Sequence, residues 1–137
     1  MTTPEQLVQL AREARSRSYC PYSGFAVGAA LLCEDGTVYQ GCNVENAAYG
    51  PSICAERVAV FKAVSEGHRS FAALAIAGGR AGEEPAGICP PCGVCRQVLR
   101  EFCGSELPIY LAKPGEAFEL HTLGELLPLS FSNADIN

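Results

Sequence analysis

No two lysine or arginine residues are adjacent in this sequence; ten basic residues lie scattered among fifteen acidic ones, and the formal net charge is -5. A polyanionic backbone requires a track of cations, so a nucleic-acid polymer is excluded as a partner. No apolar run approaches the roughly 20 residues that span a bilayer. The opening residues Met1-Thr2-Thr3-Pro4-Glu5 also lack the basic flank and apolar centre of an export signal. We therefore expect no membrane association and a cytoplasmic location. Histidine is scarce: only His68 and His121 are present, and neither falls in a metal-ligand motif.

Cysteine is abundant by contrast, with eight in 137 residues. Without an export signal, and with 48% of residues hydrophobic, the chain can build its own core and the thiols are expected to stay reduced. Cys20, Cys33, Cys42 and Cys103 sit in strand-like or helical contexts where cysteine acts as a small hydrophobe. The length suits one domain, residues 1–137.

Along the chain, Thr3-Pro4-Glu5-Gln6 reads as a capped helix start, with Leu7, Leu10, Ala11 and Ala14 on one face. Phe25 to Cys33 reads as a strand, and Glu34-Asp35-Gly36-Thr37 turns it into a second strand, Val38 to Asn43. Cys54 to Glu66 has a helical pattern stopped by Gly67. Phe71 to Ala77 is a buried strand, Gly78 to Pro91 a loop, Val94 to Phe102 a helix and Leu107 to Ala112 a strand. Thr122-Leu123-Gly124-Glu125 is a second capping box that opens a short helix ended by Pro128. Alternation of strand and helix from Val38 to Ala112 predicts crossover units in a parallel sheet. The Cys54 and Val94 helices would then begin side by side, where ligands gather in such folds.

Those two helix starts carry Cys54-Ala55-Glu56 and Pro91-Cys92-Gly93-Val94-Cys95. Three thiolates from Cys54, Cys92 and Cys95 can hold zinc and leave a fourth tetrahedral position open for water, as catalytic zinc sites do. Glu56, two residues from the first ligand, can move protons between water and a substrate, and this constellation matches the three-cysteine form of zinc deaminases. Three thiolates overcompensate a divalent cation, so positive charge is needed nearby. The two helix N-termini provide some, and Arg57 is expected to hydrogen-bond a ligand sulfur; Arg96 likewise follows its motif. A closed zinc site with Cys89 as fourth ligand, serving only to brace a binding module, is the competing reading of the same cysteines.

The chain resembles the small homotetrameric cytidine deaminases over nearly its whole length, most clearly in several stretches. They are Tyr22-Ser23-Gly24-Phe25-Ala26-Val27-Gly28-Ala29-Ala30-Leu31, Gly41-Cys42-Asn43-Val44-Glu45-Asn46-Ala47-Ala48-Tyr49, Cys54-Ala55-Glu56-Arg57, Pro91-Cys92-Gly93-Val94-Cys95-Arg96-Gln97-Val98-Leu99 and Glu125-Leu126-Leu127-Pro128-Leu129-Ser130-Phe131. The resemblance implies an α/β fold, a three-layer α/β/α sandwich around a mixed five-stranded sheet, assembled as four identical subunits with one zinc ion each. It implies hydrolysis of cytidine and 2'-deoxycytidine to the uridine nucleosides and ammonia, as in pyrimidine salvage, with Glu56 relaying the protons. Asn43 and Glu45 would bind the ribose hydroxyls, Phe25 the base, and the backbone at Ala55 and Cys92 the amino group. Phe131 would enter a neighbouring subunit's site. A carboxylate at Glu45 suits a neutral nucleoside better than a phosphate. The sequence departs from the family pattern at Gly24, where a basic residue is frequent, and at Cys89-Pro90. Rival enzymes would be a deaminase of the nucleoside antibiotic blasticidin S, against which Asn43-Val44-Glu45 argues, or an editor of DNA or RNA bases, which would need a basic groove.

Overall fold

A computed structural model describes all 137 residues. Helix α1 spans Pro4–Ala14, and its first turn is closed by a reciprocal capping box between Thr3 and Gln6. Strands β1 (Phe25–Cys33) and β2 (Val38–Cys42) form the expected hairpin. Helix α2 (Ala55–Ser65), strand β3 (Phe71–Arg80), helix α3 (Gly93–Phe102) and strand β4 (Pro108–Ala112) follow. Strand β5 (Phe118–Thr122) and the single-turn α4 (Leu123–Leu126) complete the regular elements.

The sheet order is β2-β1-β3-β4-β5. Strand β1 is antiparallel to both β2 and β3, β3 and β4 are parallel, and β5 returns antiparallel to β4. The parallel course expected from Val38 to Ala112 is met, since β2, β3 and β4 share one direction, but β2 and β3 are not neighbours: β1 lies between them. The β2–α2–β3 crossover passes over β1, because β1 buries both of its faces and belongs in the middle of the sheet. The common direction of the three strands still brings the starts of α2 and α3 to the same end of the sheet.

Side-chain alternation separates two apolar layers. Ala30, Leu32, Ala73, Ala75 and Ala77 pack under Leu7, Val8 and Ala11 of α1. Ala29, Leu31, Leu74, Ile76, Ile109 and Leu111 pack on the other side against Ala55, Ala59, Val60 and Ala63 of α2 and Leu99 of α3. Each fully buried large aliphatic chain here contributes roughly 1.5–3 kcal/mol relative to exposure. This is the three-layer mixed sandwich, with α1 alone on one face.

Two further differences concern boundaries. Gly78 to Arg80 continues β3 and is not loop: Val27 pairs with Gly78, Ala26 with Gly79 and Phe25 with Arg80. The glycines accommodate neighbours, since a Cβ at Gly78 would lie 2.6 Å from Cys89 Sγ and one at Gly79 would lie 2.9 Å from Pro85 Cα. Strand β5 is the fifth strand that the resemblance implies, but the residue pattern alone does not locate it. Its sequence Phe118-Glu119-Leu120-His121-Thr122 alternates apolar and polar residues over only five positions, none of them fully buried, too short a run to stand out as a strand.

The approach of α2 to the sheet rests on Gly41 in β2. A Cβ there would stand 2.3 Å from the Ala55 carbonyl oxygen and 2.7 Å from the Ala59 nitrogen, both backbone atoms of α2. Gly41→Ala should therefore lower unfolding stability by about 1–3 kcal/mol or more and displace the helix that carries Cys54. Urea unfolding at constant metal load checks this; an unchanged midpoint contradicts it.

Candidate active site

Chain leaving β2 reaches α2 through a loop that is tied down by its backbone. Val44 and Ile53 exchange two N–H to carbonyl bonds of 3.1 and 3.0 Å, and Glu45 N–H donates to the Tyr19 carbonyl at 2.8 Å. The loop delivers Cys54 to the N-cap of α2 in an extended conformation, and the loop after β3 delivers Cys92 to the N-cap of α3 in the same way. Cys95 lies in the first turn of α3 and is fully buried. Neither Cys54 nor Cys92 caps its helix with its side chain, so both thiols are free to turn into the space between the helices.

There the three sulfurs converge. Cys54 and Cys92 Sγ are 3.7 Å apart, Cys92 and Cys95 Sγ are 3.4 Å apart, and all three lie within 4.8 Å of one another. A tetrahedral ion with bonds of about 2.3 Å to sulfur separates its ligands by about 3.8 Å. The donor set thus fits zinc in both chemistry and spacing. Cys89 lines the cavity but its sulfur is outside the converging group; it is seated over Gly78 of β3 instead. A closed four-cysteine site is not what the fold builds.

Positive charge lies beside the sulfurs. Arg57 Nη2 donates to Cys54 Sγ at 3.4 Å, while its Nε is buried without a partner. Hydrogen bonding from Cys95, then from Arg57 and Cys92, overrides burial and lowers the Cys54 thiol to about 5; Cys95, bonded to Cys54 and buried, is pushed up. Arg57 is itself held more firmly protonated by Cys54. The Cys54 sulfur thus lies beside a guanidinium and two helix N-termini, an environment that favours the thiolate and with it metal ligation.

Glu56 is 4% exposed. Burial raises its carboxyl to about 7, its own backbone amide acting in the opposite sense. A cation on the neighbouring sulfurs would draw that value down again. Without that cation the group can take or give a proton close to neutrality, as a general acid–base residue must.

Glu56, Cys54, Ala55 and Cys92 face a cavity of about 440 Å³ whose other walls include Phe25, Asn43 and Glu45. The volume falls in the range of small-molecule sites. Asn43 is heavily engaged: its Oδ1 accepts from Val27 N–H at 2.9 Å and from the Ser18 hydroxyl, and its Nδ2 donates to the Phe25 carbonyl at 2.8 Å. One amide N–H stays uncommitted. Glu45 accepts from Tyr22 N–H at 3.0 Å and Ser23 N–H at 3.1 Å, and the Ser23 hydroxyl leads the contacts that hold its carboxyl below the usual range. Both residues thus also shape the chain turn around the cavity mouth. Phe131 does not reach this cavity within its own chain: its ring is 59% exposed and its carbonyl accepts from Gln97 Nε2 at 2.9 Å.

Arg57 and Pro90 also line the cavity, together with Val27, Ser52 and Ile53, and these last three have no role assigned from the sequence. Val27 was accessible to period-two reasoning, because it lies two residues from Phe25 on the same face of β1. Ser52 and Ile53 offered no signal beyond nearness to Cys54.

Residues 1–111 match the model of the cytidine and deoxycytidylate deaminase zinc-binding region. A cytidine deaminase of Sporosarcina psychrophila is 50% identical over 133 residues, which cover 97% of this chain and 94% of that one. One from Halalkalibacterium halodurans is 45% identical, covering 97% of each. In three dimensions the chain is similar to the crystal structure of a cytidine deaminase from Burkholderia pseudomallei, with a TM-score of 0.85, 44% identity, and coverage of 94% of this chain and 99% of that one.

The bond from Arg57 to Cys54 has a direct consequence. Arg57→Ala should speed the loss of zinc to a competing chelator by about 10–100-fold, the usual cost of removing a group that supports a metal ligand. Stopped-flow chelation with a chromophoric chelator reads this, and an unaltered rate would remove Arg57 from the account.

Proposed function

This chain belongs to the family of the cytidine and deoxycytidylate deaminase zinc-binding region, and from that premise we propose that it hydrolyses free cytidine and 2'-deoxycytidine. The products are uridine or 2'-deoxyuridine and ammonia, a step of pyrimidine salvage. The observation that carries this reading is the buried Glu56 in the wall of the same cavity onto which three sulfurs converge.

Cys54, Cys92 and Cys95 would hold one zinc ion, which when bound would supply the Lewis acidity that makes water nucleophilic at neutral pH. Glu56 accepts a proton from the attacking water and gives it to the ring nitrogen as oxygen bonds to the amino-bearing carbon. It then carries the second water proton to the amino group, the carbon–nitrogen bond breaks, and ammonia leaves. Low exposure serves Glu56 here, because burial favours the protonated carboxyl through which each transfer passes.

Phe25 packs against the base, and the backbone at Ala55 and Cys92 receives the amino group. The uncommitted N–H of Asn43 and the carboxylate of Glu45 take the ribose hydroxyls. With the Glu45 carboxyl held ionised by Ser23, Tyr22 and their backbone, a phosphorylated sugar would be repelled, so nucleosides are preferred over nucleotides. Phe131, exposed and distant from its own cavity, covers the site of a neighbouring copy in a homotetramer. The chain functions as one domain over residues 1–137. No helix is long and apolar enough to cross a membrane, which suits the cytoplasm, where nucleosides are salvaged.

Ultraviolet absorbance of cytidine with the zinc-loaded protein tests the reaction. Conversion to uridine is expected, and Glu56→Gln should lower kcat by about 10²–10⁴-fold with zinc content unchanged. A Gln variant of near-normal activity contradicts the role of Glu56; a wild type that holds zinc and leaves cytidine intact contradicts the function.

A further inference from the structure

A second group of ligating side chains lies at the opposite end of β1, and it shares no residue with the cavity. Cys33, the last residue of β1, Asp35 in the hairpin turn and His68 in the α2–β3 connection place a thiol sulfur, a carboxylate oxygen and an imidazole nitrogen within 4.8 Å of one another. We propose that Cys33, Asp35 and His68 form a second divalent-metal site, selective for zinc and similar borderline ions. Eight strand steps of about 3.3 Å put it about 25 Å from Phe25 along β1, so it is separate from the Cys54 centre. The inference does not depend on the deaminase reading.

Each ligand is held by contacts that leave the metal-facing atom available. The β1–β3 register shifts between Leu32 and Cys33, and such a bulge re-aims the side chain that follows it. Cys33 is fully buried, and its backbone is bonded to the turn through Cys33 N–H to Thr37 O at 2.8 Å and Gly36 N–H to Cys33 O at 3.0 Å. Asp35 uses Oδ1 to accept from Thr37 N–H at 3.0 Å and points Oδ2 at His68 Nδ1, 3.6 Å away. That distance is too long for a good hydrogen bond and close to the ligand–ligand edge of a tetrahedral zinc site. His68 is anchored by its N–H to the Ala63 carbonyl at 3.0 Å, and its ring is set edge-on against Tyr39 at 5.3 Å. Tyr39 in turn bonds Glu66 at 3.2 Å.

The chemistry selects the ion. One thiolate, one imidazole and one carboxylate is a mixed set suited to zinc or cobalt and poor for magnesium or calcium. Asp35 is more than half exposed, which gives the ion an entry path and a fourth position for water. A bound ion would join the β1–β2 turn to the connection between α2 and β3, fastening the far end of the helix whose near end carries Cys54. The site is therefore a clasp on α2.

The test is metal stoichiometry by equilibrium dialysis of the full-length protein against zinc chloride, followed by elemental analysis. Two equivalents per chain are expected. His68→Ala and Asp35→Asn should each weaken the second equivalent by about tenfold or more. His121→Ala is the control, since His121 lies beside Glu119 and Glu125 at 2.9 and 3.6 Å and is the obvious place for non-specific surface binding. Cobalt substitution supplies an independent readout: the second equivalent should add thiolate-to-metal charge-transfer absorbance that Asp35→Asn diminishes. Saturation at one equivalent overturns the proposal. So does a second equivalent that survives both His68→Ala and Asp35→Asn, or one that only His121→Ala removes.

Discussion

Three sulfur atoms from two separate helices must stand within a bond length of one point, and most of the architecture can be understood as the means to that end. Cys54 and Cys92 are both N-cap residues, so their positions are set by where α2 and α3 begin. Those beginnings coincide because β2, β3 and β4 run in one direction. The separation of helix and sheet is then fixed by small residues. Gly41 leaves no room between β2 and α2 for even a methyl group, and the alanines of α2 continue that close contact along its length.

Charge imposes the second condition. A cluster of thiolates repels itself and would stay protonated in an apolar interior. Arg57, on the turn of α2 that follows Cys54, answers this by donating directly to the Cys54 sulfur. Glu56 sits between them in sequence and meets the opposite environment: its carboxyl is buried and raised toward neutrality while the Cys54 thiol is lowered. On the proposed function, one helical turn thus carries an anion to hold a metal and an acid to exchange protons. Separation of titration behaviour between neighbouring groups is a mark of catalytic chemistry.

Legibility in the sequence followed the locality of each signal. Capping at Thr3 and Thr122 was readable because both partners of each box lie three residues apart. The ligand cysteines were readable as motifs, and their meeting followed from strand direction alone. The place of β1 between β2 and β3 was not, because sheet order depends on which strands bury two faces, a property of the whole core. β5 escaped for a different reason: its apolar and polar residues alternate over only five positions, and none is fully buried. Around the site, Asn43 and Glu45 were legible as polar residues near the mouth, but their bonds to Phe25, Val27, Tyr22 and Ser23 span many residues of sequence and only the fold reveals them. The Cys33, Asp35 and His68 group was hidden likewise, since Cys33 read as core and His68 as an isolated histidine.

The central claim is that the three-sulfur centre is the seat of catalysis. Returning zinc in measured steps to metal-stripped protein, while following cytidine turnover, addresses it most directly. Activity should be absent at zero zinc, rise in proportion to added metal and stop rising at one equivalent per chain, even if further zinc continues to bind. Turnover by the stripped protein, or full occupancy of the three thiolates with no turnover, would contradict it.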